Sequence, residues 1–317
     1  MNNMRKLTSL LVLTLTGFIS SAQQDAQFSH NMFNRLATNA GYAGTNNAIC
    51  ATLIGRSQWV SFPGAPKTGL LSIDAPILTK TPFHGGIGLV LCSDQLGYEK
   101  NLNAKLSYSY HLMLGTGTLG LGLEGGMLQK SIDGSHWLPP STVIDNSIPS
   151  TISTITYDIG FGAYYTTNQF YVGISSLHLP QSVLTKGNFN YTNVRHYYVT
   201  GGYDFPLPGN PNIELKPSIL VKSDGRSTQL DVNLLAQYNK LFWGGVSYRI
   251  TDAIVALVGF NYGLSNGSNL RFGYSYDITT SALRGYSSGS HELLLGYCFK
   301  VSTPEKKQSH QNVRFLN

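Results

Sequence analysis

The sequence predicts an all-β protein: a transmembrane outer-membrane β-barrel of about 14 antiparallel strands with an N-terminal plug-like segment. Three observations carry this expectation. Long stretches alternate strictly between apolar and polar residues, charged residues are scarce, and an export leader comes first. In LNAKLSYSYHLML (102–114) every even position is apolar or aromatic, and the odd positions from Asn103 to His111 are polar. Such alternation marks an extended strand with two unlike faces. At 13 residues it is about twice a usual globular strand. Charged residues make up 12% of the 317, about half the usual share of roughly 25%. Gly (34) and Tyr (19) are abundant.

Residues 1–22 read as a secretory signal peptide. Arg5 and Lys6 form the basic region, Leu7 to Ile19 the apolar stretch, and Ser20-Ser21-Ala22 a cleavage site before Gln23. The other reading, an uncleaved anchor, meets an apolar stretch too short for a comfortable span. No Cys follows Ala22, so this is not a lipoprotein signal. Residues 23–47 form a distinct N-terminal segment, with room in 25–40 for a helical turn or two.

The barrel is expected over 48–300. Two-faced segments fall at roughly 48–60, 67–77, 85–93, 99–114, 118–130, 154–165, 169–176, 193–205, 212–222, 228–239, 241–250, 254–262, 269–278 and 290–300. A soluble β-sandwich also alternates, but its strands are shorter and its outer faces carry many Lys and Glu. A membrane barrel needs strands of about 9–11 residues or more, an apolar lipid face, aromatic girdles and a polar lumen. Tyr108 and Tyr110, Tyr164 and Tyr165, Tyr197 and Tyr198, and Tyr274 and Tyr276 are candidates for those girdles. Loop lengths agree. With both termini periplasmic, the short links 115–118, 166–169 and 239–240 fall on one side. The long links 131–153, 176–193 and 278–289 fall on the other. The links 224–226 and 251–253 are short yet fall on the long-loop side. Residues 301–317 are expected to hang as a flexible periplasmic tail.

The formal charge of +6 sits mostly at the two ends, and the body between them is nearly neutral. With no Lys/Arg run or RNA-binding signature, no nucleic-acid partner is expected. The three cysteines have no short spacing, which gives neither a disulfide framework nor a zinc site. Cys92 and Cys298 read as ordinary small residues within strands. GLGLEG (120–125) spells a dinucleotide-binding pattern but lies inside a strand, where it reads as small residues on the lumen face. Ser290-His291-Glu292 holds triad residue types, yet neighbouring strand residues point to opposite faces. The eight His show no metal-ligand spacing. No catalytic, cofactor or metal residue is assigned, and no enzyme activity is expected.

DAQFSHNMFNRLATNAGYAGT (25–45) and RSQWVSFPGAPKTGLLSIDAPI (56–77) resemble the N-terminal signature of the PorP/SprF family, outer-membrane proteins of the type IX secretion system of Bacteroidetes-type bacteria. The pattern falls on Gln27, Phe28, Ser29, Met32, Phe33, Asn34, Asn39, Tyr42, Ala43, Gly44, Arg56, Gln58, Trp59, Val60, Phe62, Gly64, Ala65, Pro66 and Thr68. Echoes follow at 93–112, 201–207 and 290–297. Two positions depart from it: Arg35 stands where the pattern has Pro, and Ala40-Gly41 replaces Pro-Ala.

The resemblance implies a role in exporting cargo or holding it at the cell surface, in some members with gliding motility. The implied partners are C-terminal domains of secreted proteins or adhesins, periplasmic components of the machine, and the bilayer. Docking residues are expected on the outer loops: Trp137, Leu138, Pro139 and Pro140 in the first long loop, and Leu177, Leu179 and Phe189 in the second. These either bury a partner or pack onto their own rim. The signature has two readings as well. Phe28, Phe33 and Tyr42 pack within or beneath the barrel as a plug, or the segment touches a periplasmic partner. Its density of Phe, Asn, Tyr and Gly favours the plug. A passive transporter of small or hydrophobic solutes is the main alternative, because a barrel alone does not fix function. A surface lipase or protease is the third.

Overall fold

The computed structural model describes residues 25–77, 84–133, 151–186 and 189–301. The signal-peptide reading, the loop candidates Trp137, Leu138, Pro139 and Pro140, and nearly all of the tail lie outside them. Two 3₁₀ turns, Asn31–Phe33 and Ala40–Tyr42, precede the strands. The strands are β1 (Ala48–Ser57), β2 (Lys67–Ile77), β3 (Gly85–Leu96), β4 (Glu99–Leu114), β5 (Gly117–Asp133), β6 (Thr151–Thr166), β7 (Phe170–Leu177), β8 (Val183–Lys186), β9 (Phe189–Thr192) and β10 (His196–Tyr203). They continue with β11 (Phe205–Pro206), β12 (Ile213–Ser223), β13 (Thr228–Tyr238), β14 (Phe242–Arg249), β15 (Ala253–Gly263), β16 (Asn269–Thr279) and β17 (Ser290–Lys300).

Each wall strand pairs antiparallel with its neighbours in sequence. β10 bonds to both β7 and β12, and β1 bonds to β17, so the sheet closes into a 14-strand barrel. Closure satisfies the backbone groups that a bilayer could not. The short links 115–116, 167–169 and 239–241 gather at one rim. The longer links 58–66, 178–195 and 280–289 gather at the other.

The molecule is inverted relative to a water-soluble protein. Leu106, Leu123, Met127, Tyr157, Val246 and Val258 are exposed on the outside. Arg56, Lys105, Glu124, Asp158, Arg249, Asp277 and Glu292 are buried inside. The two sets occupy alternate positions on the same strands, as the period of two requires. An aromatic girdle rings the short-turn rim, with Tyr203, Phe205, Tyr238, Phe242, Tyr262 and Phe299 all exposed.

The structure corrects several expectations. Tyr164 and Tyr198 face the lumen, buried, because each is one residue away from an outward neighbour. The segment expected over 48–60 ends at Ser57, and Trp59 and Ser61 then turn the chain with φ of 48° and 77°. The segment expected over 193–205 is a strand only from His196 to Tyr203, and the Arg195 side chain just before it donates 2.7 Å to the Leu179 carbonyl. The stretch 176–193, expected to be loop, holds the β8–β9 hairpin. The expectation that Cys298 is an ordinary small residue, with no disulfide in the chain, fails at the pair Cys50 and Cys298. They face each other across β1 and β17, with Cα atoms 4.1 Å apart, and form a disulfide. Cys92 is a free thiol.

Candidate functional site: the lumen cluster and the rim

Residues 25–47 run through the space the wall encloses. They touch strands on every side. At the long-loop end, Asp25 bonds to the Tyr198 hydroxyl at 2.7 Å, and its carbonyl accepts from Lys222 Nζ at 2.9 Å. Gln27 bonds to Gln229. At the short-turn end, Gly44 donates 3.0 Å to Asp74 on β2. The described chain therefore starts at the rim opposite the one where β1 begins.

Three stretches far apart in sequence meet at one buried cluster. Arg56 Nη1 donates to Ser29 Oγ at 2.7 Å and to Glu292 Oε2 at 3.0 Å, and its Nη2 donates to Asp277 at 2.8 Å. Glu292 also accepts from the backbone N–H groups of Ser29 and His30, each at 2.8 Å, and from His30 Nδ1 at 2.7 Å. Arg249 joins Asp231 and Asp277 at 3.2 Å each. Their side chains are at most 5% exposed. Ser290 and Glu292 face inward, whereas His291 sits on the other face against Tyr274 and Tyr276. No triad forms from these three.

A second cluster lies beside the first. Lys105 pairs with Glu124 at 2.9 Å and Asp158 at 3.6 Å. His178 bridges Asp158 through Nδ1 at 2.8 Å and Asp25 through Nε2 at 2.9 Å. Burial works against the His178 charge, but the two carboxylates more than offset it and raise its pKa to about 9. Burial likewise opposes the Asp25 charge, yet His178 and His196 hold that carboxyl well below its usual range. Asp25, His178 and His196 bring one potential metal donor each within 4.8 Å. His178 is engaged with the two acids and His196 Nδ1 with the Val194 carbonyl at 2.9 Å, while His196 Nε2 is buried without a partner. Sequence spacing gave no sign of either cluster, because barrel register brings their members together.

The remaining signature residues grip the wall. Phe33 packs 4.9 Å from Trp243, and Tyr42 meets Tyr164 edge-on at 5.3 Å. Phe28 packs partly buried against the cluster of Leu36, Ile54, Leu70 and Leu294, and Asn34 is buried. Asn39 caps the second turn through Gly41 N–H and donates to the carbonyls of Ala163 (3.0 Å) and Ile174 (3.1 Å). Wall glycines admit this backbone. A Cβ on Gly122 would lie 2.2 Å from the Ala40 carbonyl carbon, and one on Gly120 2.1 Å from the Gly41 oxygen. Gly44 has φ +72° and backs onto Gly86.

Trp59, Gly64 and Pro66 sit elsewhere. They shape the rim loop 58–66, where Val60 exchanges backbone hydrogen bonds of 2.8 Å with Gly289 and Ser288. Trp59 N–H bonds Ser290 Oγ at 3.0 Å, Gly64 accepts from Gly97 at 2.9 Å, and Pro66 accepts from Gln58 at 2.9 Å. Among the docking candidates, Leu177 ends β7 at 2% exposure and presents no side chain to a partner. Leu179 is half-buried, its N–H bonded to the Ile159 carbonyl at 2.9 Å. Phe189 opens β9.

Among solved structures, similar folds include the outer membrane protein Omp33 of Acinetobacter baumannii, with TM-score 0.44 and 9% identity over 80% of this chain and 99% of that one. The translocator domain of the autotransporter NalP from Neisseria meningitidis gives TM-score 0.43 and 13% identity over 80% and 87%. The toluene transporter TbuX of Ralstonia pickettii gives 0.44 and 9% over 80% and 88%. At these scores the likenesses carry no argument. No curated protein matches the sequence. The family match is of another order, extending over residues 20–297, and it includes both signature stretches and the closing strand that meet at Arg56. The chain belongs to the PorP/SprF family of type IX secretion system membrane proteins.

Proposed function

We propose that this outer-membrane barrel acts by binding rather than by chemistry or conduction. It docks or anchors secreted proteins, through C-terminal sorting domains or gliding adhesins, at the cell surface. In this reading residues 1–22 direct export and are removed near Ala22, and the long-loop rim faces outward. Residues 23–47 then act as a plug, and the tail 301–317 reaches into the periplasm, where machine components bind. The observation that carries the reading is the bonding of residues 25–47 to the lumen wall on all sides. It fills lumen space that a conducting pore would leave open, and it engages Asp74, Asp277, Glu292 and Lys222 on the wall. Leu179, Phe189, Trp137, Leu138, Pro139 and Pro140 remain the docking candidates on the outer loops.

The test is a mild-detergent pull-down of the tagged protein from outer membranes, with partners identified by mass spectrometry. Recovery of a large secreted protein through its C-terminal domain is the expected result. A barrel recovered alone that gives a steady open conductance in a planar bilayer would overturn docking in favour of passive transport.

A further inference from the structure

Four of the five buried cations among the described residues are matched with acids, and the fifth, Lys222, donates 2.9 Å to the Asp25 backbone carbonyl. Arg56, Arg249, Lys105 and Lys130 each have a carboxylate within 4.0 Å. Two half-buried arginines at the short-turn end have no such acid. Among the described residues no carboxylate lies within ion-pair distance of Arg35 or Arg271. Both line one cavity of about 280 Å³, together with Lys300, Asn46, Asn269 and Asp74. Asp74 is the acid of that lining, and its Oδ2 already accepts the Gly44 N–H.

The two guanidiniums are held by their faces. Arg35 lies 3.7 Å over the Tyr171 ring and donates through Nη1 to the Tyr164 hydroxyl at 3.0 Å, while its Nε is buried without a partner. Arg271 lies 4.3 Å over the Phe33 ring, and its Nε donates to Asn261 at 2.9 Å. Ring stacking fixes a guanidinium plane and leaves edge N–H groups to receive a carboxylate or phosphate in fork geometry. Both residues are half-buried, so each unmatched charge has given up part of its hydration without an acid in return. The cavity borders the turn 264–268 and the end of β17, so it belongs to the short-turn rim.

We propose that this vestibule is an oxyanion-binding site, in which Arg35 and Arg271 receive a carboxylate or phosphate group presented from the short-turn rim. Lys300 adds a third positive charge at the mouth, and Asp74 disfavours ligands of high negative charge. The site stands apart from the long-loop rim, so it holds whether or not cargo docks there. It also gives a role to Arg35, one of the two places at which this chain departs from the signature.

The test is the thermal stability and calorimetric binding of the purified full-length barrel in detergent, with three probes. These are inorganic phosphate, a short peptide with a free C-terminal carboxylate, and the same peptide amidated, against chloride at matched ionic strength. Saturable stabilisation by phosphate or by the free-carboxylate peptide is expected. Phosphate alone assigns the site to a phosphate-bearing ligand, and the peptide but not its amide assigns it to a chain terminus. R271Q and R35Q weaken the response roughly ten- to hundredfold, and R271K, which keeps charge without the fork, weakens it less. A wild-type barrel that answers no probe beyond the chloride control overturns the proposal, as does undiminished binding by folded R271Q and R35Q.

Discussion

Replacing Arg56 with Ala tests whether the buried cluster fastens the N-terminal segment to the wall. The guanidinium is 1% exposed and holds Ser29, Asp277 and Glu292 together at 2.7–3.0 Å. Its loss leaves Glu292 with His30 and the backbone of residues 29–30, and leaves Asp277 with Arg249 and Ser29. Removing one partner from a buried ion pair costs about 3–5 kcal/mol, because the remaining charge stays out of water. At roughly 2–4 °C per kcal/mol, the heat-induced unfolding of the detergent-solubilised barrel falls by about 6–20 °C. The assay is the mobility shift of heated and unheated samples on a semi-native gel, with proteolysis of the N-terminal segment followed in parallel. The triple variant R56M/D277N/E292Q removes the charges together and recovers most of the loss. An R56A barrel that melts within about 2 °C of wild type and protects its N-terminal segment equally would refute the reasoning.

Further outcomes follow from other contacts. Gly122→Val drives a side chain into the Ala40 backbone, so it displaces residues 39–42 while the wall still folds. Increased protease cutting near Asn39 with an unchanged strand signature by circular dichroism is the check. Leu106→Arg puts a charge at the middle of the outward face of β4, 67% exposed to lipid, and costs about 2–4 kcal/mol in folding into vesicles. In denaturant, where the packed Cys92 thiol is released, alkylation without reduction modifies Cys92 alone, and Cys50 and Cys298 become reactive only after reduction. The pH dependence has a definite sign at His178, whose pKa is raised to about 9. Its contribution is complete below the ordinary value of about 6.5 and fades as pH rises through 9. Melting temperature therefore declines across that window in wild type and declines less in His178→Asn, after allowance for nearby Lys105, Asp158 and Asp25.

The wall was legible in the sequence because lipid on one face and polar lumen on the other impose a strict period of two. The run 99–114 coincides with β4 to the residue. Girdle tyrosines were only half legible: the period separates Tyr197 from Tyr198, but nothing local says which of two aromatic neighbours faces lipid. The lumen clusters were hidden. Arg56, Asp277 and Glu292 become neighbours only once β1 closes on β17 and β16 falls into register beside it. The Cys50–Cys298 pair was hidden for the same reason, since spacing rules read short loops and this bond joins the first wall strand to the last. In the sequence Arg35 stood only as a departure from the signature, in place of a Pro. Its aromatic cradle comes from β6 and β7, more than a hundred residues away.

The path of residues 25–47 constrains the order in which the molecule is assembled. The segment starts at one rim, crosses the enclosed space and leaves at the other to become β1. A ring completed beforehand would have to be threaded by a free end that then finds partners on both hemispheres in a confined channel. Laying the strands around the segment avoids this, since each arriving hairpin meets contacts already in place. In that order the segment is a mandrel for the curvature of the sheet. Joining β1 to β17, with the Cys50–Cys298 bond across the junction, then becomes the last act of construction.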